Sequence, residues 1–205
     1  MTITTYTGLQ NSIAGWLHRS DLAANIPDFI ALAEARIARD LRLRAQIVIA
    51  PLVCTPSAQQ IALPSDYLEA ENLSITVAGL NQAVNYVTSE TGDVRMPNGL
   101  ASGSPSYFTV LGTNLMMMPT PDQAYPVSLA YYARIAALSV TPTNFLLTAA
   151  PGVYLFGALA EAAPFMEDDQ RAALWETKYS AEVTALQNSD EAAVRSGAAM
   201  RVRTL

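Results

Sequence analysis

A reacting site needs a nucleophile, a base or a cluster of metal ligands, and this 205-residue chain holds few side chains of those kinds. His18 is its one histidine and Cys54 its one cysteine. Together they are the residue types of a thiolate–imidazole dyad. His18, however, lies on an amphipathic stretch, where a surface or hydrogen-bonded imidazole is the ordinary outcome. Cys54 ends the apolar run "QIVIAPLVC", where a thiol is buried and inert. Glu161, Glu167, Asp168 and Asp169 bring carboxylates that a hard cation could use. Acids at a helix start are equally explained by the positive end of the helix dipole. The run Met116 to Met118 offers thioethers, but alternate residues of a strand face opposite sides, so the three read as packing. None of the G-x-x-x-x-G-K-[ST], G-x-S-x-G or H-E-x-x-H patterns occurs. The expectation is no catalytic residue, no cofactor and no metal.

Composition narrows the partners. Hydrophobic residues make up 51% of the chain and charged residues 15%. Mean hydropathy is +0.19. That is apolar for a lone soluble domain and points to further burial between chains. A net charge of −6 argues against a protein that grips phosphates, because nucleic-acid affinity comes from clustered Lys and Arg. DNA could still pass as a neighbour meant to slide. The start "MTITTYTGLQ" has neither a basic segment nor an apolar one, and a single cysteine allows no intrachain disulfide. A reducing, cytoplasmic setting is expected, without a membrane partner.

The elements fall into helix, then strand, then helix. In residues 1–44, Thr7 and Gln10 fit a capping box, with Leu9, Ile13, Trp16 and Leu17 on one face. Pro27 opens a second helix with Ile30, Ala33, Ile37 and Leu41 as its apolar stripe and Arg36, Arg39 and Arg42 facing outward. Residues 45–134 read as short strands: "QIVIAPLVC", "QQIALP", "EAENLSITV", "QAVNYVT", "SYFTVLG", "NLMMMP" and "VSLAYYAR". Gly112 and Asn114 mark a hairpin turn, and one helical turn is expected near Glu90 inside a long loop. Residues 135–197 return to helix. Asn144 caps a short one, Pro151 restarts a second, and a third carries Trp175, Tyr179, Val183 and Leu186 at helical spacing. Residues 198–205 form a tail with Arg201, Arg203 and Leu205, expected to be mobile in the isolated chain. The fold class expected is α+β, a bundle of N- and C-terminal helices with a central antiparallel β-rich insertion, sandwich or barrel-like.

Between Arg134 and Glu161 there is no charged residue. A membrane span would need about 20 continuous apolar residues, and Pro142, Asn144, Pro151 and Gly152 interrupt this stretch. Two readings remain. In one, the small residues Gly157, Ala158, Ala160, Ala162 and Ala163 form a narrow surface against an identical neighbour. In the other, this is the central helix of a bundle, covered by its own chain.

Three stretches, "IPDFIALAEARIARDLRLR", "QQIALPSDYLEAENLSI" and "LAYYARIAALSVTPTNFLLTAAPGVYLFGALAEAAPFMEDDQRAALWETKY", together resemble the head-to-tail adaptor proteins of tailed bacteriophages, of the short-tailed type. The most specific parts are Leu63-Pro64-Ser65-Asp66-Tyr67, the Tyr131-Tyr132 strand leading to Leu138, and Leu146 to Pro164 followed by Asp168 and Asp169. The resemblance implies a virion neck protein made in the host cytoplasm. It implies a homo-oligomeric ring, commonly dodecameric, bound to the portal protein on one side and a tail or nozzle protein on the other. Double-stranded DNA would pass through without sequence-specific binding. A tail terminator or stopper is the alternative of the same virion. The candidate portal or subunit contacts are Arg201, Arg203, Leu205, Gly157 and Ala160.

Overall fold

A computed structural model describes residues 3–19, 21–95, 102–166 and 169–196. The fold is α+β, as expected, and the chain divides into two compact units: Met1–Ala45 with Ile135–Leu205, and Gln46–Arg134.

The first unit is helical. Helix α1 (Tyr6–Leu17) starts from Thr5, which is extended and whose Oγ1 accepts the Gly8 N–H at 3.2 Å. The cap is therefore Thr5 rather than Thr7, which already lies inside the helix. Helix α2 (Ile26–Asp40) has Pro27 in its first turn and buries Ile26, Phe29, Ile30, Ala33 and Ile37. Helix α4 (Phe145–Ala149) is capped as the sequence implies, Asn144 Oδ1 accepting the Leu147 N–H at 2.8 Å. Helix α5 (Pro151–Phe165) packs against α1, α2, α4 and the long α6 (Asp169–Ser196). That central position matches the reading of the uncharged stretch as a helix covered by its own chain. Val153, Tyr154, Leu155, Gly157, Ala158, Leu159, Ala162 and Ala163 are all buried within the chain itself. A helix that meets other helices on most of its sides leaves little solvent face for charge, and its one charged residue, Glu161, turns to Arg36.

Among the described residues the second unit holds two four-stranded sheets. One has the order β1 (Ile47–Cys54), β8 (Tyr125–Ala133), β3 (Tyr67–Val77), β4 (Leu80–Ala83). The other has the order β2 (Gln60–Ala62), β7 (Asn114–Met118), β6 (Tyr107–Leu111), β5 (Asn85–Tyr86). Pairing is antiparallel except for β5 with β6. Cys54, Leu73, Ile75, Phe108, Leu115, Met117, Val127 and Leu129 fill the core. The expected single strand "QAVNYVT" is split at Val84, where the chain leaves the first sheet for the second with the Val84 side chain buried. The hairpin loop is Gly112–Thr113, with Gly112 at φ +60° and Asn114 already paired to Leu111. The helical turn expected near Glu90 is helix α3 (Ser89–Arg95). It explains part of the methionine run: Met117 enters the core, while the Met118 thioether lies against Gly92 of α3, where an added Cβ would come within 2.7 Å of it.

Candidate functional site

The motif residues form two sets of ties, one in each unit. In the β unit the segment Leu63 to Tyr67 turns, with the Tyr67 N–H donating to the Pro64 carbonyl at 3.1 Å. This aims Asp66 at the end of β8. Its Oδ1 accepts the Tyr131 hydroxyl at 2.9 Å, and its backbone carbonyl accepts the Arg134 N–H at 2.6 Å. Tyr67 stacks on Tyr131 with ring centroids 5.8 Å apart. Burial, then the hydrogen bond to Asp66, raises the Tyr131 hydroxyl above its ordinary range, so it remains a donor at neutral pH. The Ser65-Asp66-Tyr67 element thus fixes the last residues of the strand insertion through side chain and backbone together.

In the helical unit, the uncharged connection after residue 134 is held by groups far away in sequence. Glu34 of α2 accepts the Leu138 N–H at 2.7 Å, and the Tyr6 N–H of α1 donates to the Pro142 carbonyl at 2.8 Å. Asn144 also donates through Nδ2 to the Tyr154 hydroxyl at 2.8 Å. Burial raises the Glu34 carboxyl above the usual glutamate range, partly offset by the bond from Leu138, and pushes the Tyr154 hydroxyl up to about 12.

Arg36 is not the outward residue the helical period implies. Its side chain is 19% exposed. It grips Glu176 of α6 with both terminal nitrogens, lies 3.7 Å from Glu161 of α5 and 3.5 Å from Asp40, and stacks 4.2 Å from the centroid of the Tyr179 ring. A planar, forked cation with two aliphatic turns of reach can bridge three helices in this way, and an ammonium could not. Tyr179 is buried and donates to Asp40 Oδ2 at 2.9 Å. Its hydroxyl is raised by burial first and by that bond second.

The residues that could have done chemistry have other surroundings. His18 is the exposed C-cap of α1, in the left-handed conformation at φ 51°. Cys54 is fully buried at the end of β1, and desolvation pushes its thiol up to about 11, away from a reactive thiolate. Glu161 faces Arg36. Glu167 and Asp168 lie outside the described residues, as does the side chain of Asp169. Among the described residues no group of three or more His, Cys, Asp and Glu side chains is placed to hold a metal ion, and no helix is long and apolar enough to cross a membrane. A cleft of about 600 Å³ in the β unit is lined by Tyr67, Glu69, Glu71, Asn85, Tyr86 and Phe108, among others, with no nucleophile opposite a base.

Gly157 and Ala160, three residues apart on α5, differ in burial. A Cβ at Gly157 would lie 3.3 Å from the Ala33 Cβ and the Tyr179 ring, so its small size serves the close approach of α2 and α6. Ala160 is half-buried against the same core. Arg201, Arg203 and Leu205 lie outside the described residues. What periodicity alone missed is the apolar surface left open. Ile49 and Val53 of β1 are 67% and 60% exposed, and neither β1 nor its neighbour β8 carries a charged side chain. The signal was in the sequence, as a strand apolar on both faces at a position that turned out to be a sheet edge.

No curated protein matches the chain. A protein-family profile described as SU10 adaptor protein matches residues 4–203, from before α1 to beyond α6. A match of that extent includes the Asp66–Tyr131 tie, the Arg36 junction and the central helix α5 alike, and the chain belongs to the SU10 adaptor protein family, the bacteriophage head–tail adaptors that its sequence resembles.

Proposed function

We propose that copies of this chain close into a ring between the portal and the tail, a dodecamer in the complete virion, and prolong the channel through which DNA leaves the head. The observation that carries this reading is family membership over residues 4–203. The physical chemistry agrees with it. Ties such as Asp66–Tyr131 and Arg36–Glu176 make each unit a stiff block rather than a reacting centre. The net charge of −6 suits a channel wall that repels phosphates and lets the duplex slide. A wedge of fixed shape repeated around an axis closes without further information. Arg201, Arg203 and Leu205 supply the portal contact, two cations at the end of an acidic chain meeting acidic groups on the partner.

Native mass measurement of the purified chain with and without the portal protein of the same phage tests the proposal. Monomers or small oligomers alone, and a ring mass on portal addition, are the expected result, because like-charged copies need a template to close. A single monomeric species under both conditions overturns it.

A further inference from the structure

The cleft of about 600 Å³ in the β unit follows the edge of a strand. An unbroken run of β3, from Tyr67 to Leu73, lines it. Successive side chains of a strand face opposite sides, so an unbroken run lines one cavity where that cavity lies along the edge. Among the described residues, β8 covers one edge of β3 from Tyr67 to Ile75, and β4 covers the other only from Ser74 to Val77. The Val84 N–H ends that pairing on the Leu73 carbonyl at 2.9 Å, and the chain then leaves for β5 in the other sheet. From Tyr67 to Asn72 the second edge of β3 therefore has no described strand beside it, and Asn85, Tyr86 and Phe108 form the wall opposite. Glu69 and Glu71, both exposed, line this gap and are the charged residues of the unit's strands.

Acids and register breaks are themselves a means of keeping an edge from pairing, and β3 has both, with shifts between Tyr67 and Glu69 and between Ala70 and Asn72. A guarded edge needs nothing more. This cleft also has aromatic walls. Tyr86 is 60% exposed, its ring held edge-to-face on Phe108 with centroids 5.5 Å apart, and Tyr67 is fixed by its stack on Tyr131. Carboxylates beside fixed rings suit a guanidinium, which donates paired hydrogen bonds to an acid and stacks on an aromatic face.

We propose that this cleft holds an extended, arginine-bearing segment of the tail-side protein, with arginines at alternate positions meeting Glu69 and Glu71 and a guanidinium lying on Tyr86; the inference rests on the ring reading above for which proteins are neighbours. Charge selects the occupant. Nucleic acid would bring phosphates against two carboxylates. The β3 edge of a second copy would set the same acids against each other, and the edge strands β1, β4, β2 and β5 of a second copy carry no cation to offer. The portal, in the ring reading, meets Arg201 and Arg203 and so presents acids of its own. The protein on the tail side is the neighbour left to supply cations. Length agrees, since the open edge from Tyr67 to Asn72 spans about 20 Å at ~3.3 Å per residue, room for an extended segment of similar length. The register shifts interrupt a regular ladder, so side chains rather than a continuous row of backbone bonds choose the segment.

The experiment has two arms. The first titrates the isolated full chain with a synthetic peptide of alternating arginine and valine and with its glutamate-for-arginine counterpart. The arginine peptide is expected to bind at least tenfold more tightly in dilute buffer. Glu69→Gln with Glu71→Gln is expected to keep the wild-type melting curve and to lose most of that preference, which separates the cleft from the general pull of an acidic chain. Equal affinity for the two peptides, or a folded Gln variant that keeps the full preference, overturns the inference, and the acids then only guard the edge. The second arm places p-benzoylphenylalanine at Asn72 in the full chain and irradiates assembled particles. Crosslinks to the tail-side protein are expected. Crosslinks to the portal alone, a covalent dimer of this chain, or no crosslink overturns the inference, the dimer by placing a neighbouring copy in the cleft. A Gln variant that does not fold leaves the crosslink at Asn72 to decide. If the peptide preference and the tail-side crosslink are found while portal addition yields no ring mass, the cleft assignment stands and the ring reading fails.

Discussion

Arg36 of α2 and Glu176 of α6 meet as a two-armed ion pair, with the Nη1 to Oε2 bond at 2.8 Å. The pair hydrogen bond holds the Glu176 carboxyl below the usual glutamate range and raises the arginine further. Glu176 is nearly half exposed, at 48%, so solvent screens much of the attraction. Arg36 is the more enclosed partner and also covers the Tyr179 ring. Arg36→Ala is expected to cost about 1–2 kcal/mol, more than an exposed ion pair and less than a buried one. Arg36→Lys should recover under half of that, because it keeps charge without the fork. Chemical denaturation of both variants measures it. The Glu176 contribution is present above its unfolded pKa, about 4.3, and is lost as pH falls through the lower folded value, so the penalty of Glu176→Gln should shrink in acid.

Glu34 behaves oppositely. Its carboxyl is raised in the folded protein, so its contribution is fully present below the unfolded pKa and is lost as pH rises through the folded value. Burial of the charged form is therefore a cost at neutral pH. Glu34→Gln keeps an oxygen to accept the Leu138 N–H and removes that cost. The variant is expected to equal or exceed the wild-type stability at pH 7, by up to about 1 kcal/mol, with the difference vanishing toward pH 4. Melting curves across that range check it, and a difference that grows in acid would contradict the assignment.

Gly157 tests how α5 is used. Ala at this position adds helix propensity of about 1 kcal/mol but puts a methyl 3.3 Å from Ala33 and Tyr179, so the two effects should nearly cancel. Leu has no room, and Gly157→Leu is expected to cost about 1–3 kcal/mol through overpacking. Thermal denaturation of the isolated chain shows this without any partner present. A Leu variant as stable as wild type would mean that the close approach of α2 and α6 is not what requires the glycine.

The contrast between Asn144 and Arg36 shows what could be read from the residues alone. Asn144 caps α4 by bonding an N–H three positions on, and a cap is local chemistry that spacing reveals. Arg36 meets a carboxylate 140 positions away, and Glu34 bonds a backbone N–H 104 positions away. Helical period placed Arg36 among the solvated arginines because period describes one helix and not what packs against it. Most strands of the insertion were legible from composition and turn residues, but the break at Val84 that sends β4 and β5 to different sheets was not, and β1 pairing with β8 depends on a closure that no local pattern encodes. For the same reason the exposed apolar face of β1 read as an ordinary core strand.

His18 and Cys54 are the residues an enzyme reading would choose, and their surroundings predict independence from DNA delivery. Cys54→Val keeps volume and apolarity in a fully buried site and should cost less than about 1.5 kcal/mol. His18 holds a left-handed C-cap that glycine prefers, so His18→Gly should raise stability by a few tenths to about 1 kcal/mol. Phage carrying both changes should deliver DNA normally. A folded double variant that assembles but stalls at one delivery step would give one of these side chains a role beyond structure.

The tail supplies the last test. Residues 198–205 hold few large apolar side chains and two arginines, Arg201 and Arg203, so they have little to contribute to a core and much to offer an acidic partner. Deleting Met200 to Leu205 should leave the melting temperature of the isolated chain unchanged. If these two arginines make the proposed charge-assisted contacts to the portal, about 1–2 kcal/mol is lost with them at low ionic strength, and portal affinity should fall about tenfold. Screening removes most of that contribution when the Debye length drops to about 3 Å near 1 M salt. The truncated and full chains should therefore differ in dilute buffer and converge as salt is added. Reversing the two charges with Arg201→Glu and Arg203→Glu should weaken binding further than deletion at low salt, since repulsion replaces a lost attraction. Equal portal affinity for the full, truncated and reversed chains across the salt series would move the docking surface off the tail and onto the folded units.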